Sequence, residues 1–196
     1  MRVLAACEFS GVVRDVFRGL GHEAWSCDLL PSDVPEYHIQ GDVLEILKEP
    51  WDLVIAFPPC TYLARSGLHW NKRVEGRQAL TDSAAEFFME FTRLDCPWAI
   101  ENPVGAMSRL YRKPDQIVSP YEFGHDVSKK TCLWLNGVPK LTLGERVEPR
   151  WVDGKPRWGN QGDSGQCNVS GGKTRGQRRS ITFRGIAEAM GRGWGI

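Results

Sequence analysis

Trp51-Asp-Leu-Val-Ile-Ala-Phe-Pro-Pro-Cys60 constrains the fold more than any other stretch of the chain. Leu53 to Phe57 are apolar without polar alternation, the pattern of a strand buried on both faces. Pro58 and Pro59 then close the strand and fix the backbone as it leaves. Similar apolar runs recur: Arg2 to Cys7, Glu23 to Cys27 ending at Asp28, and Pro97 to Glu101. Between the first two, Val12, Val13, Val16, Phe17 and Leu20 follow helical spacing, with Gly19 and Gly21 as a helix stop. Residues 77–94 read as an amphipathic helix with Leu80, Ala84, Phe87, Phe88, Phe91 and Leu94 on one side. Apolar strands alternating with helices predict an α/β fold with a mostly parallel sheet.

The stretch 103–175 is richer in Gly, Pro, Trp and basic residues and reads as loops and short strands laid over the sheet, with one strand at Thr131–Leu135. Ile186 to Met190 forms a short closing helix. The 196 residues suit a single domain, 1–196, with no repeat or low-complexity linker to mark a boundary. No run approaches the roughly 20 apolar residues of a membrane-spanning helix. Glu8 interrupts the apolar start too early for a signal peptide, so a cytoplasmic protein is expected. The six cysteines show no C-x-x-C pair and no Cys/His cluster, which argues against a metal site and for free thiols in a reducing compartment.

Charge is unevenly spread. Residues 1–128 hold 12 Lys and Arg against 19 Asp and Glu, a net of −7, whereas residues 129–184 hold 12 against 4, a net of +8. A basic C-terminal third fits contact with a phosphate backbone, although solvated surface charge gives similar local excesses.

In a parallel sheet, ligands bind beyond the carboxyl ends of the strands. Four clusters fall there: Glu8-Phe9-Ser10-Gly11, Asp28, Pro58-Pro59-Cys60 and Glu101-Asn102. The first brings backbone N–H groups and a glycine to a helix N-terminus, suited to the polar end of a cofactor, though one glycine in a strand–helix turn is commonly structural. Asp28, at the end of the second strand, matches the acidic residue that takes a ribose hydroxyl pair, a reading that extends to any adenosyl ligand. Asp42 either lies near the adenine or is a turn aspartate. A thiol on the rigid Pro58-Pro59 turn is suited to attack a positioned substrate; otherwise Cys60 is a buried small hydrophobe. Glu101 follows apolar Trp98-Ala-Ile100, and partial desolvation there favours the protonated, proton-donating form.

In this chain order these residues resemble the DNA cytosine-5 methyltransferase family. Gly67 falls at the same offset from Pro59-Cys60 as the glycine of that family's Pro-Cys loop, with Thr61, Leu63 and Ala64 at positions where other residues are usual. The first motif reads Cys7-Glu-Phe-Ser-Gly-Val-Val13 in place of the family's aspartate and paired glycines, and Gln177-Arg-Arg179-Ser-Ile181 partly matches its Gln-x-Arg-x-Arg element. Gly185 to Gly191 looks like the family's last helix, which returns to the cofactor pocket.

The resemblance implies a Rossmann-like fold binding S-adenosylmethionine through Glu8, Phe9, Ser10, Gly11, Asp28, Asp42 and Pro58. It implies Cys60 as the nucleophile that adds to C6 of cytosine, Glu101 as the group contacting N3, Asn102 as the residue holding the loop, and Arg179 as a contact to base or phosphate. The implied partner is DNA, with its target base flipped from the duplex; the sequence leaves the oligomeric state open, with a monomer slightly favoured. The family's large target-recognition region would here be reduced to 103–175, where Trp134, Trp151 and Trp158 stand among basic residues as stacking platforms or core. Two alternatives remain open: a C5 methyltransferase for a free pyrimidine nucleotide, and a nucleic-acid-binding protein of the same fold without turnover.

Overall fold

The computed structural model describes residues 1–167 and 180–195. Its central sheet has seven strands in the order β3-β2-β1-β4-β5-β7-β6. They are β1 (Arg2–Ala6), β2 (Glu23–Asp28), β3 (His38–Gln40), β4 (Leu53–Ala56), β5 (Trp98–Pro103), β6 (Gln116–Val118) and β7 (Thr131–Asn136). The first five pair in parallel, and β7 runs antiparallel between β5 and β6. This is the Rossmann-like, mostly parallel α/β sheet expected from the apolar runs.

The burial pattern explains the absence of alternation in the central strands. Val3, Ala5, Leu53 and Ile55 face one layer, formed by α1 (Val12–Gly19) and α5 (Arg184–Trp194). Leu4, Ala6, Val54, Ala56 and Ile100 face the opposite layer, which includes α3 (Arg77–Glu90). With helices on both faces, each position of β4 is buried and apolar. The short helices α2 (Val43–Ile46) and α4 (Met107–Leu110) complete the α3 layer. Among the described residues no helix is long and apolar enough to cross a membrane.

Two expectations are corrected. Leu80 is 47% exposed, and Thr81 takes the buried position on α3. Thr81 is tolerated there because its hydroxyl donates to the Tyr62 carbonyl at 3.1 Å and accepts from Asn71 Nδ2 at 3.0 Å. Secondly, 103–175, read as loops and short strands laid over the sheet, supplies β6 and β7 within the sheet itself, β7 being the strand expected at Thr131–Leu135. Among the described residues of this stretch, only the two-stranded ribbon β8 (Arg150–Val152) and β9 (Lys155–Arg157) stands apart. Of the three tryptophans read as stacking platforms or core, Trp134 on β7 and Trp158 are core residues and Trp151 is exposed. Trp134 packs edge-on to Phe88 at 5.1 Å and its indole N–H donates to the Arg112 carbonyl at 2.8 Å.

Trp134 therefore joins β7 to α3 across the sheet face. Replacing Trp134 with Ala should cost about 3–5 kcal/mol of unfolding free energy by equilibrium denaturation.

Candidate active site

The parallel register sets the site. Ala6 pairs with both Cys27 and Ala56, and Ala56 pairs with Ile100. Residues following these four, including Glu8, Asp28, Pro58 and Glu101, consequently emerge at one edge of the sheet. The chain passes from β1 to β2 and β3 on one side and then crosses to β4 on the other. The loops after β1 and β4 thus diverge from adjacent strands, making a topological switch point with a crevice beyond it. Glu8-Phe9-Ser10-Gly11 and Pro58-Pro59-Cys60 form its two banks.

On the first bank, Gly11 adopts φ 76°, a left-handed conformation that begins α1. A Cβ there would also overlap the Arg14 guanidinium. Glu8 is buried behind the turn, with Oε1 accepting from the Ser10 hydroxyl and from the Val12 N–H at 3.2 Å. Oε2 is buried with no hydrogen-bond partner. Burial raises the Glu8 carboxyl above its ordinary range, while the Ser10 bond and the charge of Arg14 oppose the rise.

Arg14, which sequence reading passed over, is fully enclosed. Its Nε donates to Asp15 at 2.7 Å, and Nη1 donates to Ser26 Oγ at 3.1 Å and the Val34 carbonyl at 3.2 Å. Ser26 Oγ lies 2.9 Å from His38 Nδ1, and His38 Nε2 lies 3.0 Å from the Leu30 carbonyl. Because a carbonyl only accepts, Nε2 carries a proton, and in the neutral ring Nδ1 accepts from Ser26. The network ties the loop after Asp28 to α1. The only sequence sign of it was a charged residue inside the apolar spacing of a helix.

Asp28 ends β2 and accepts from the Leu30 N–H at 2.9 Å. Asp42 caps α2 by accepting from the Leu44 N–H at 3.0 Å, so its Oδ1 serves the turn. Both carboxylates bear on Cys7, whose thiol is pushed far up first by burial and then by these charges. Burial, then the same two carboxylates, push Cys27 up to about 11. Cys132 is pushed up to about 11 by burial and the charge of Glu101. These buried cysteines are neutral thiols, whereas Cys60 is exposed, as is Cys167. No disulfide joins any of the six cysteines.

The second bank is held from β5. Asn102, only 1% exposed, donates from Nδ2 to the Pro58 carbonyl at 2.8 Å, fixing the turn that carries Cys60. Its Oδ1 is buried with no partner. Glu101 and Asn102 do not follow the strand; they belong to it, because β7 continues to pair with them after β4 has ended. The Leu63 and Ala64 amides then donate to the Cys60 carbonyl at 3.0 and 2.9 Å.

Gly105, also unmarked in the sequence, lets this loop close onto β5. Ala64 and Gly105 form an antiparallel bridge, the Ala106 N–H donates to the Leu63 carbonyl at 2.8 Å, and the Arg65 N–H donates to Val104 at 3.0 Å. A Cβ at Gly105 would overlap the Leu63 carbonyl. Arg179 lies outside the described residues. Among the described residues no group of three or more His, Cys, Asp and Glu is placed to hold a metal ion. A cleft of about 420 Å³ between α1 and α5 includes Ser10 at its rim but none of the second bank.

No family model and no curated protein matches the chain. Among solved structures it is similar to a candidate DNA modification methyltransferase encoded within an E. coli prophage, with a TM-score of 0.46 and 16% identity over 68% of this chain and 45% of that one. It is also similar to the Dnmt2 methyltransferase of S. pombe, with a TM-score of 0.45 and 15% identity over 69% of this chain and 48% of that one. The chain thus spans about half the length of these structures.

The close approach at Gly105 predicts that Gly105→Ala lowers stability by about 1–3 kcal/mol, seen as a reduced thermal midpoint. Glu8 gives a pH dependence. Its raised folded-state pKa means that the folded protein binds more protons than the unfolded chain above the ordinary value of 4.5, so stability falls as pH rises through that window. Glu8→Gln should remove this slope in denaturation midpoints measured across pH 4–8; an unchanged slope would contradict the assignment.

Proposed function

We propose that this protein is an S-adenosylmethionine-dependent methyltransferase acting at C5 of cytosine in DNA. One observation carries the reading: an exposed thiol sits on a Pro-Pro turn clamped by Asn102, the neighbour of Glu101, across a switch-point crevice from a glycine-started helix. That is a nucleophile, a carboxylic acid and a cofactor turn on one sheet edge. The resemblance in motif order supports the same assignment.

The first bank fits the cofactor. Glu8 Oε2, buried and lacking a partner, suits a cationic group such as the methionyl ammonium, while Ser10, Gly11 and the α1 amides suit polar atoms beside it. Asp28 would take the ribose hydroxyls, with Phe9, Asp42 and Pro58 lining the remainder. When bound, S-adenosylmethionine supplies the methyl group that C5 takes.

The chain's own residues do the rest. The Cys60 thiolate adds to C6 of the base, and Glu101 holds and protonates N3, which places electron density on C5. After C5 loses its proton, the C6–S bond breaks and the thiolate leaves. Asn102 keeps the Pro58–Cys60 turn in position throughout. A duplex substrate must present its base unstacked, and the basic excess of 129–184, including Arg179, suits the displaced backbone. In this reading 1–196 is one catalytic domain, with the recognition region confined to 103–175.

The test is transfer of a radiolabelled methyl group to DNA and, in parallel, to dCMP. Wild-type protein should label DNA, Cys60→Ala should reduce labelling to background, and Glu101→Gln should slow it by roughly 10²–10⁴-fold. DNA labelling that survives Cys60→Ala would overturn the covalent mechanism, and labelling of dCMP alone would overturn the substrate.

A further inference from the structure

The β8–β9 ribbon has no counterpart in the sheet, and its two faces differ. Arg150 pairs with Arg157 and Val152 with Lys155, whereas Trp151 pairs with Pro156. Alternation therefore places Trp151 and Pro156 together on the opposite face from the two arginines. The arginine face is braced by the loop that follows. Arg150 donates to Asp163 Oδ1 at 2.5 Å and to the Gln161 carbonyl at 2.7 Å, and Arg157 donates to the Asp163 carbonyl at 3.0 Å. Among the described residues the other face has no such brace, and Trp151 is 67% exposed. An isolated two-stranded ribbon is marginal in water, so this bracing maintains an exposed indole at a structural cost.

The foot of the ribbon fixes its place. Trp158 stacks on Tyr121 with ring centroids 4.2 Å apart, and the Val147 N–H donates to the Tyr121 carbonyl at 2.8 Å. The Gly159 N–H donates to Asp126 at 2.7 Å. Tyr121 and Asp126 lie in the connection from β6 to β7. That connection is at the carboxyl edge, because Val118 pairs with Thr131 and Thr131 with Pro103. The ribbon is thus planted at the same end of the sheet as Cys60 and Glu101. It also belongs to the part of the chain with a net charge of +8, and Lys155 is exposed near its tip.

We infer that the ribbon is a DNA-contacting arm in which Trp151 stacks on a base and Lys155 meets the phosphate backbone. An exposed indole on one face, with Lys155 near the tip on the opposite face, lets a single ribbon stack on an unstacked base and meet phosphate at once, and the positive segment is complementary to a polyanion. The inference rests on the proposed DNA substrate but is separable from it.

Binding to a fluorescently labelled oligonucleotide, read by anisotropy at two salt concentrations, tests the arm. Trp151→Ala should weaken binding by roughly 5- to 150-fold, the range for loss of one stacked base. Trp151→Phe should restore most of the affinity, and both variants should keep the wild-type thermal midpoint. Lys155→Ala should reduce the salt dependence, which Trp151→Ala should leave unchanged. Wild-type affinity in Trp151→Ala, alongside DNA methylation that Cys60→Ala abolishes, would overturn the arm and leave the catalytic reading standing. No DNA binding by the wild type would overturn both. A change of oligomeric state in Trp151→Ala with DNA affinity intact would assign the face to a second copy of the chain instead.

Discussion

Parallel pairing of β1 with β2 on one side and β4 on the other is the constraint from which the site follows. It sends the ends of these strands to one edge, and the reversal of chain progression at β1 obliges the two adjoining loops to part. Nothing in the loops themselves would create the crevice. Their residues matter because the hydrogen-bonded register brings Gly11, Pro58 and Glu101 to the same edge from segments distant in the chain.

Behind that edge the protein accepts costly groups. Glu8 and Arg14 are both buried, and each retains an atom with no partner. Desolvation favours a neutral Glu8, while Arg14 favours its charged form. Such a couple is a poor device for stability, since burying opposite charges commonly costs as much as their attraction returns. Its structural effect is to fix the β1–α1 turn from below and, through Ser26 and His38, the loop after Asp28.

The central sheet was legible because β1, β2, β4 and β5 are short apolar runs whose composition alone identifies them. β3 and β6, with three residues each, depend on pairing partners and left no such mark. The role of β7 within the sheet was hidden for the same reason, although its apolar run was visible. Leu80 and Thr81 show where helical periodicity fails: a hydroxyl with two partners can occupy the core while a leucine one residue away faces solvent. The chemistry of the site could be read from Pro58-Pro59-Cys60 and Glu101-Asn102. Its mechanical support could not. The Asn102–Pro58 bond spans 44 residues, the fit of Gly105 depends on the Leu63 carbonyl, and Arg14 sits within an otherwise apolar helical pattern. Trp134 lies in an apolar run and Trp151 beside Arg150, yet which of the two another layer covers is settled by the fold.

The bridge between Ala64 and Gly105 fixes the number of residues in the loop that carries Cys60, as well as its shape. With its start held by Asn102 and its end by Gly105, the segment cannot gain or lose a residue without shifting one anchor out of register. Divergence of this protein should therefore proceed there by exchange of side chains at constant length, as at Thr61 and Tyr62. Insertions and deletions would be confined to stretches such as 142–146, which are exposed and outside the sheet. The spacing from Cys60 to Ala64 would then outlast most of the residues between them.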